Sequence, residues 1–203
     1  MKGALDMAAP DLRATFHATQ ALLKAIADGE TADVVILTDE GIAQLAAQGE
    51  LAGKAQPLGR SGVGIAVRAG APKPDISSVD ALKRSLLSAD SVAHSRMGAS
   101  GLYFAGLLER LGLADKLKKR VIVEKGPVGA AVARGEAELG AQLLCELAPV
   151  QGIDIVGPLP PEVQNYNAFS AAVVKDSPQA REFLGFLRSD AVRTAMRKNL
   201  FEV

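Results

Sequence analysis

The chain carries little from which to build a reactive centre. One cysteine, Cys145, stands among 203 residues. A single thiol excludes a disulfide within the chain and a cysteine-based zinc site. It sits in the apolar run Gln142-Leu143-Leu144-Cys145-Glu146-Leu147. That setting suits a buried structural thiol, because a reactive cysteine needs electropositive, accessible surroundings. Histidine is almost as scarce. His17 and His94 lie far apart, neither beside a carboxylate cluster, so no metal site and no cofactor are expected. Charge of one sign is also missing, since 23 Lys and Arg balance 23 Asp and Glu. A nucleic-acid binder would show a basic excess. An anionic ligand stays open, because backbone N–H groups hold anions without net charge. No run approaches the ~18 apolar residues of a membrane span, so no membrane insertion is expected. Met1-Lys2-Gly3-Ala4-Leu5-Asp6 lacks the apolar core of a signal peptide, which taken alone points to a cytoplasmic chain. There is no repeat, no low-complexity segment, no Gly-Lys-Ser/Thr phosphate loop and no serine elbow.

Hydrophobic residues make up 48% of the chain, enough for a sizeable core. Strand patterns alternate with helical ones, which argues for an α/β fold with mostly parallel sheets. The run Ala32-Asp33-Val34-Val35-Ile36-Leu37 reads as a buried parallel strand. In Arg60–Gly70, Val63, Ile65 and Val67 alternate with small residues, a strand pattern. Two glycines inside it mark a bend or a close backbone approach. This stretch reads as a strand crossing between two lobes, with a ligand cleft beside it. An ordinary buried strand of one sheet is the alternative. The apolar segment 167–174 is the candidate second crossing. The lobes so defined are 1–63 with 170–203, and 64–169.

Helices are expected over 2–12, 21–27, 41–48, 80–87, 102–110, 114–119 and 129–134. Short strands are expected at 14–18, 90–94, 121–123, 138–144 and 154–156. Thr19 is a candidate N-cap, Ser77-Ser78-Val79-Asp80 a capping box, and Ser177-Pro178 opens a final helix pair.

Three strand-to-helix turns are candidate ligand contacts: Thr19-Gln20, Gly98-Ala99-Ser100-Gly101 and Gly126-Pro127-Val128. A helix N-terminus offers free N–H groups and a positive dipole end. In open α/β sheets, ligands bind beyond the carboxyl ends of the strands, where such turns lie. The same residues could merely cap helices. Arg60-Ser61 and Arg96 could hold a carboxylate, or be solvent-exposed. Tyr166 could offer its hydroxyl to a ligand, or simply pack with its polar end satisfied. No dyad is evident and no catalytic residue is assigned. His17, Glu124 and Lys125 are the proton-transfer groups nearest these turns.

Five segments, taken in order, resemble the molybdate-binding-protein-like family of extracellular solute-binding proteins that serve ABC importers. They are Thr19–Ile26 with Gly29–Asp39, Arg60–Val67, Ala99-Ser100-Gly101, Val132–Gly140 and Gly157–Tyr166. The resemblance implies a type II periplasmic-binding fold, in which two α/β lobes are joined by two crossing strands. A molybdate-like oxyanion or a carboxylic acid would lie between the lobes, enclosed by hinge closure. The contacts it implies are Thr19 or Gln20, Ser100, Val128 through its backbone, and Tyr166 or the neighbouring Phe169. It further implies an ABC-importer membrane subunit as partner and the periplasm as location. Arg60-Ser61 resembles a sub-branch that need not bind molybdate. Some relatives there resemble aconitate isomerases, so proton transfer on an unsaturated organic acid is the alternative to binding alone. A degenerate form that binds nothing is a third reading. The family begins with a strand and a ligand-binding serine. Here Met1 falls at or just before the first helix, so that strand is expected to be missing, leaving open sheet edges.

Overall fold

The computed structural model describes residues 12–203. The chain divides into two units. The first runs up to Arg60 and resumes over Asn167–Val203, and the second is Ser61–Tyr166. The chain leaves the first unit inside strand β2 (Gln56–Arg68) and returns at the start of β7 (Tyr166–Val173). The helix expected over 2–12 lies outside the described residues except for Leu12, which is not helical.

In the first unit the apolar run forms β1 (Val34–Thr38), followed by α2 (Asp39–Ala47). Helix α1 (Thr19–Ala27) precedes them. Leu23 of α1, Val35 and Leu37 of β1, Ile42 and Leu45 of α2, and Ala172 of β7 form one buried cluster. Each large side chain so buried contributes about 1.5–3 kcal/mol. β1 was expected to be parallel. Its partner is β7, antiparallel from Val34↔Val173 to Thr38↔Phe169, because β7 is the returning strand. No strand forms over 14–18. These residues are exposed and have no ladder partner among the described residues, and a lone strand is not stable in water. The final pair, α7 (Pro178–Phe186) and α8 (Asp190–Lys198), is capped by Ser177 and Ser189, which accept from Ala180 N and Val192 N at 3.1 and 3.3 Å.

The second unit has a mixed sheet. β3 (Val92–Ser95) lies parallel to both β4 (Arg120–Val123) and β5 (Leu139–Leu143). β2 runs antiparallel to β5, with Val63 opposite Leu143, and antiparallel to β6 (Ile153–Pro158). Antiparallel pairing thus enters with the crossing strands, and the parallel pairs lie around β3. Residues Ser61–Val67 of β2 are all buried. A Cβ on Gly64 would lie 2.3 Å from Leu144 Cδ2 and 2.8 Å from Gly157 O, so this glycine marks a close approach of neighbours to the strand. Helices α3 (Val79–Ser88), α4 (Ala99–Arg110), α5 (Val128–Ala133) and the short α6 (Leu144–Leu147) complete the unit. Leu82, Leu86, Phe104, Leu107 and Leu108 are fully buried on α3 and α4. Ser78 caps α3 by accepting from Ala81 N at 3.2 Å.

Two expected helices change. α4 starts at Ala99, three residues early, so Ser100 and Gly101 lie in its first turn instead of in a preceding loop. Residues 114–119 form turns and a bend, with Lys116 N donating to Leu113 O in place of a helical ladder, and the chain then enters β4 directly.

Candidate functional site

Because β3, β4 and β5 are parallel, their carboxyl ends share one end of the second unit. The turns that follow start α4, α5 and α6 there. β2 is antiparallel to β5, so its first residues in this unit reach the same end. Ser61 is fully buried, and its Oγ accepts from Cys145 N at 3.0 Å, which ties the start of β2 to α6. Gln142, also buried, accepts from Gly129 N through Oε1 at 3.2 Å and fixes the start of α5 against β5. Gln164 clamps β2, accepting from Val63 N and donating to Val63 O, both at 2.9 Å. Gly62 leaves room for that side chain and for the Tyr166 ring, since a Cβ would lie 3.0 Å from Gln164 Nε2 and 3.2 Å from Tyr166 Cε1.

The start of α4 combines a missing cap with a buried serine. Ser100 and Gly101 in its first turn are buried, Ser100 only 3% exposed, while Ala99 and Leu102 stay exposed; no side chain caps it and Gly98 is the N-cap. The first N–H groups of a helix have no intrahelical acceptor, so they take water or a ligand. Serine caps α3, α7 and α8, whereas the N-cap residues of α1, α2, α5 and α6 also give no side-chain cap. At α5 the N-cap Pro127 gives no cap, Gln142 takes the Gly129 N–H instead, and Val128 is buried. Gly101 permits the arrangement, because its Cα packs directly on Ser95, with an added Cβ falling 2.1 Å from Ser95 O. Met97 and Leu102 flank the turn in sequence and are left 61% and 58% exposed.

Below this turn lies His94, buried at the side of the Phe104 ring. Its Nδ1 is 3.0 Å from Ser95 O and its Nε2 3.2 Å from an Arg120 guanidinium nitrogen. Arg120 can only donate, so the ring is neutral, with Nδ1–H donating to Ser95 O. Burial agrees, holding the pKa below the ordinary histidine value. Arg96 is engaged by Glu124, whose two oxygens lie 2.6 and 2.7 Å from its Nε. That hydrogen bond lowers the Glu124 pKa, which makes it a weaker base. Cys145 is buried and its thiol is pushed up to about 11 by burial, as befits a structural thiol. Glu146 is surface-accessible on α6, yet enough protein surrounds it to raise its carboxyl above the usual range.

The other sequence candidates lie in the first unit. Thr19 is the first residue of α1 and not its cap, a place taken by Ala18. Its Oγ1 accepts from Thr38 N at 3.3 Å, so it serves the start of α2. Gly41 makes room for its methyl, since a Cβ there would lie 2.4 Å from Thr19 Cγ2. Gln20 is exposed. Asp39 at the start of α2 accepts from Ser170 Oγ at 2.7 Å. Arg60 Nε donates to Glu202 at 2.8 Å, and the two residues also pair through their backbones. Within the second unit the structure therefore brings Ser61, Ser100 and Val128 to one end of the sheet. Gln142, Gln164, His94 and Glu146 escaped the sequence reading. A glutamine inside an apolar run, as in Leu139–Leu143, is the one signal that could have found any of them.

With this geometry in place, the comparisons with known proteins define the class. The chain belongs to the bacterial extracellular solute-binding protein family, whose model matches residues 11–202. It is similar to an aconitate isomerase from a Pseudomonas species, 44% identical over 176 residues that span 84% of this chain and 67% of the relative. Its fold is that of the periplasmic molybdate-binding protein of Azotobacter vinelandii, with TM-score 0.76, 19% identity, and coverage of 100% of this chain and 93% of that one. The substrate binding domain of a molybdenum ABC transporter from Clostridium difficile is similar too, with TM-score 0.70, 20% identity, and coverage of 99% and 93%. Among the described residues no helix is long and apolar enough to cross a membrane.

Proposed function

We propose that this solute-binding protein takes a small organic acid, held by its carboxylates at the carboxyl end of the second unit's sheet. The uncapped start of α4, accessible at Ala99 and backed by the buried Ser100, carries the reading. Its N–H groups, the Ser100 hydroxyl and the backbone of Val128 are neutral donors, and such a set suits an anion. Ser61 and Tyr166, also of the second unit, complete the proposed contacts. Two observations favour an organic acid over a molybdate-like oxyanion. Met97 and Leu102 offer apolar surface beside the turn, suited to a carbon skeleton. The relative at 44% identity is named for aconitate, whereas the molybdate-binding structures are similar at 19–20%. Calorimetric titration with cis- and trans-aconitate, citrate and molybdate tests it. Saturable binding of the tricarboxylates, weakened about tenfold by Ser100→Ala, is expected. Binding of molybdate alone would overturn it.

A second reading, isomerisation, rests on the same relative and on Glu146. An allylic proton leaves the substrate's methylene, the double bond shifts, and a proton returns to the former alkene carbon. One carboxyl can serve both transfers if its proton affinity lies nearer neutrality. Proton NMR of cis-aconitate with the protein would show the trans isomer growing. Glu146→Gln is expected to abolish this while keeping binding. Family membership supports a periplasmic location and a membrane subunit of an importer as partner; co-purification from membranes expressing that subunit tests the latter.

A further inference from the structure

The first unit holds a second concavity that the family reading does not use. Lys54, Ala55, Gln56, Pro57 and Leu58 form one wall, and Leu184, Leu187, Arg188 and Arg193 the other, around a cavity of about 450 Å³. That volume suits a small molecule. Three cations line it and, among the described residues, no carboxylate does. We propose that this cavity is a separate anion site, taking a small molecule with two acidic groups, phosphate or carboxylate.

Exposed cations are normally just solvated, so the convergence of three on one cavity is what matters. Lys24, Arg60, Arg96, Lys118, Arg134 and Arg181 each find a carboxylate partner at the surface. Lys54, Arg188 and Arg193 form no ion pair among the described residues, as Lys83, Lys116 and Lys198 do not, but these three line one cavity. Three like charges converging on one concavity repel each other, and a bound dianion removes that cost. Arg188 follows the C-terminus of α7, where the helix dipole favours a cation. That accounts for one of the three and leaves Lys54 and Arg193 unexplained. The cavity also has an apolar lining from Pro57, Leu58 and Leu184, with Leu187 buried beneath, against which a short carbon spacer can lie. Its walls are joined, since Gln56 Nε2 donates to Leu184 O at 3.3 Å. All these residues belong to the first unit, so the site is separate from the one at the start of α4.

Two-dimensional amide NMR of the full chain tests this, with pyrophosphate as the phosphate probe and glutarate as the carboxylate probe. Sodium chloride at matched ionic strength is the control. Expected are saturable shifts at Ala55, Gln56, Leu58, Leu184–Arg188 and Arg193 with at least one probe. The double variant Lys54→Gln/Arg193→Gln should weaken them about tenfold or more. Its thermal midpoint should stay near that of the parent, because both side chains are exposed. Ser100→Ala should leave them unchanged, which separates this site from the first. Absence of saturable shifts with both probes would overturn the proposal, as would the same shifts with sodium chloride or in the double variant.

Discussion

Gly101→Ala should damage this protein more than any other glycine-to-alanine change in α4. An alanine Cβ there would sit 2.1 Å from Ser95 O and 2.3 Å from Ser95 Oγ. Ordinary carbon contact needs well over 3 Å, so the first turn of α4 must withdraw by about 1 Å. The carbonyl cannot swing aside, because it belongs to β3 and His94 Nδ1–H holds it at 3.0 Å. Forcing a methyl into such a site costs about 1–3 kcal/mol. Two neighbours calibrate the claim. Gly98→Ala meets the rotatable Ser95 Oγ at 2.6 Å and should cost under about 1 kcal/mol. Gly106→Ala meets only the flexible Arg110 guanidinium at 3.5 Å and should gain about 0.5–1 kcal/mol of helix stability. Urea unfolding with m-values compared gives the three numbers. The withdrawn turn also carries Ser100, so Gly101→Ala should lose ligand affinity beyond its loss of stability. A Gly101→Ala midpoint equal to that of the parent would refute the packing argument.

Other predictions follow from the same contacts. Ser61→Ala removes the acceptor of the buried Cys145 N–H, and should lower the unfolding free energy by about 1–3 kcal/mol in denaturant titration. His94 has its pKa held below 6.5 in the folded chain by burial, so the unfolded chain takes up the proton first. Stability should therefore fall as pH drops below 6.5, ceasing to fall once the folded value is passed; His94→Gln should flatten that slope in midpoints measured down to the carboxylate range. The Cys145 thiol, pushed up to about 11, should resist a disulfide reagent at mildly alkaline pH in the native state and react fully in denaturant. Glu202→Gln breaks only a half-exposed pair with Arg60 and should change stability by less than about 1 kcal/mol.

Much of the fold is legible in the residues. The alternation of Val63, Ile65 and Val67 marks β2, and the Ser77-Ser78 cap and the Gly98–Gly101 turn carry real boundaries. What fails does so for tertiary reasons. Residues 14–18 alternate like a strand, but pattern cannot supply a neighbouring strand. β1 reads as parallel because its run is apolar throughout, yet Val34 and Ile36 are only half-buried and the composition does not encode the direction of its partner. Residues 114–119 have helical spacing but are too few to nucleate a helix alone. At the site, turns with glycine and serine are visible in one dimension. The roles of Gln142, Gln164 and His94 depend on backbone groups 13, 101 and one residue away, and no local pattern encodes the first two. The Arg96–Glu124 pairing is equally non-local, and it turns a candidate anion contact into an ion pair.

The most direct test is thermal unfolding of the purified chain against cis-aconitate, trans-aconitate, citrate, molybdate, tungstate and sulfate. A ligand at a hundredfold excess over its Kd stabilises the native state by about 2.7 kcal/mol. For a chain of this size that raises the midpoint by about 5–10 °C. The account predicts a concentration-dependent rise with the tricarboxylates, diminished in Ser100→Ala. A rise with molybdate or tungstate and none with the organic acids would contradict it.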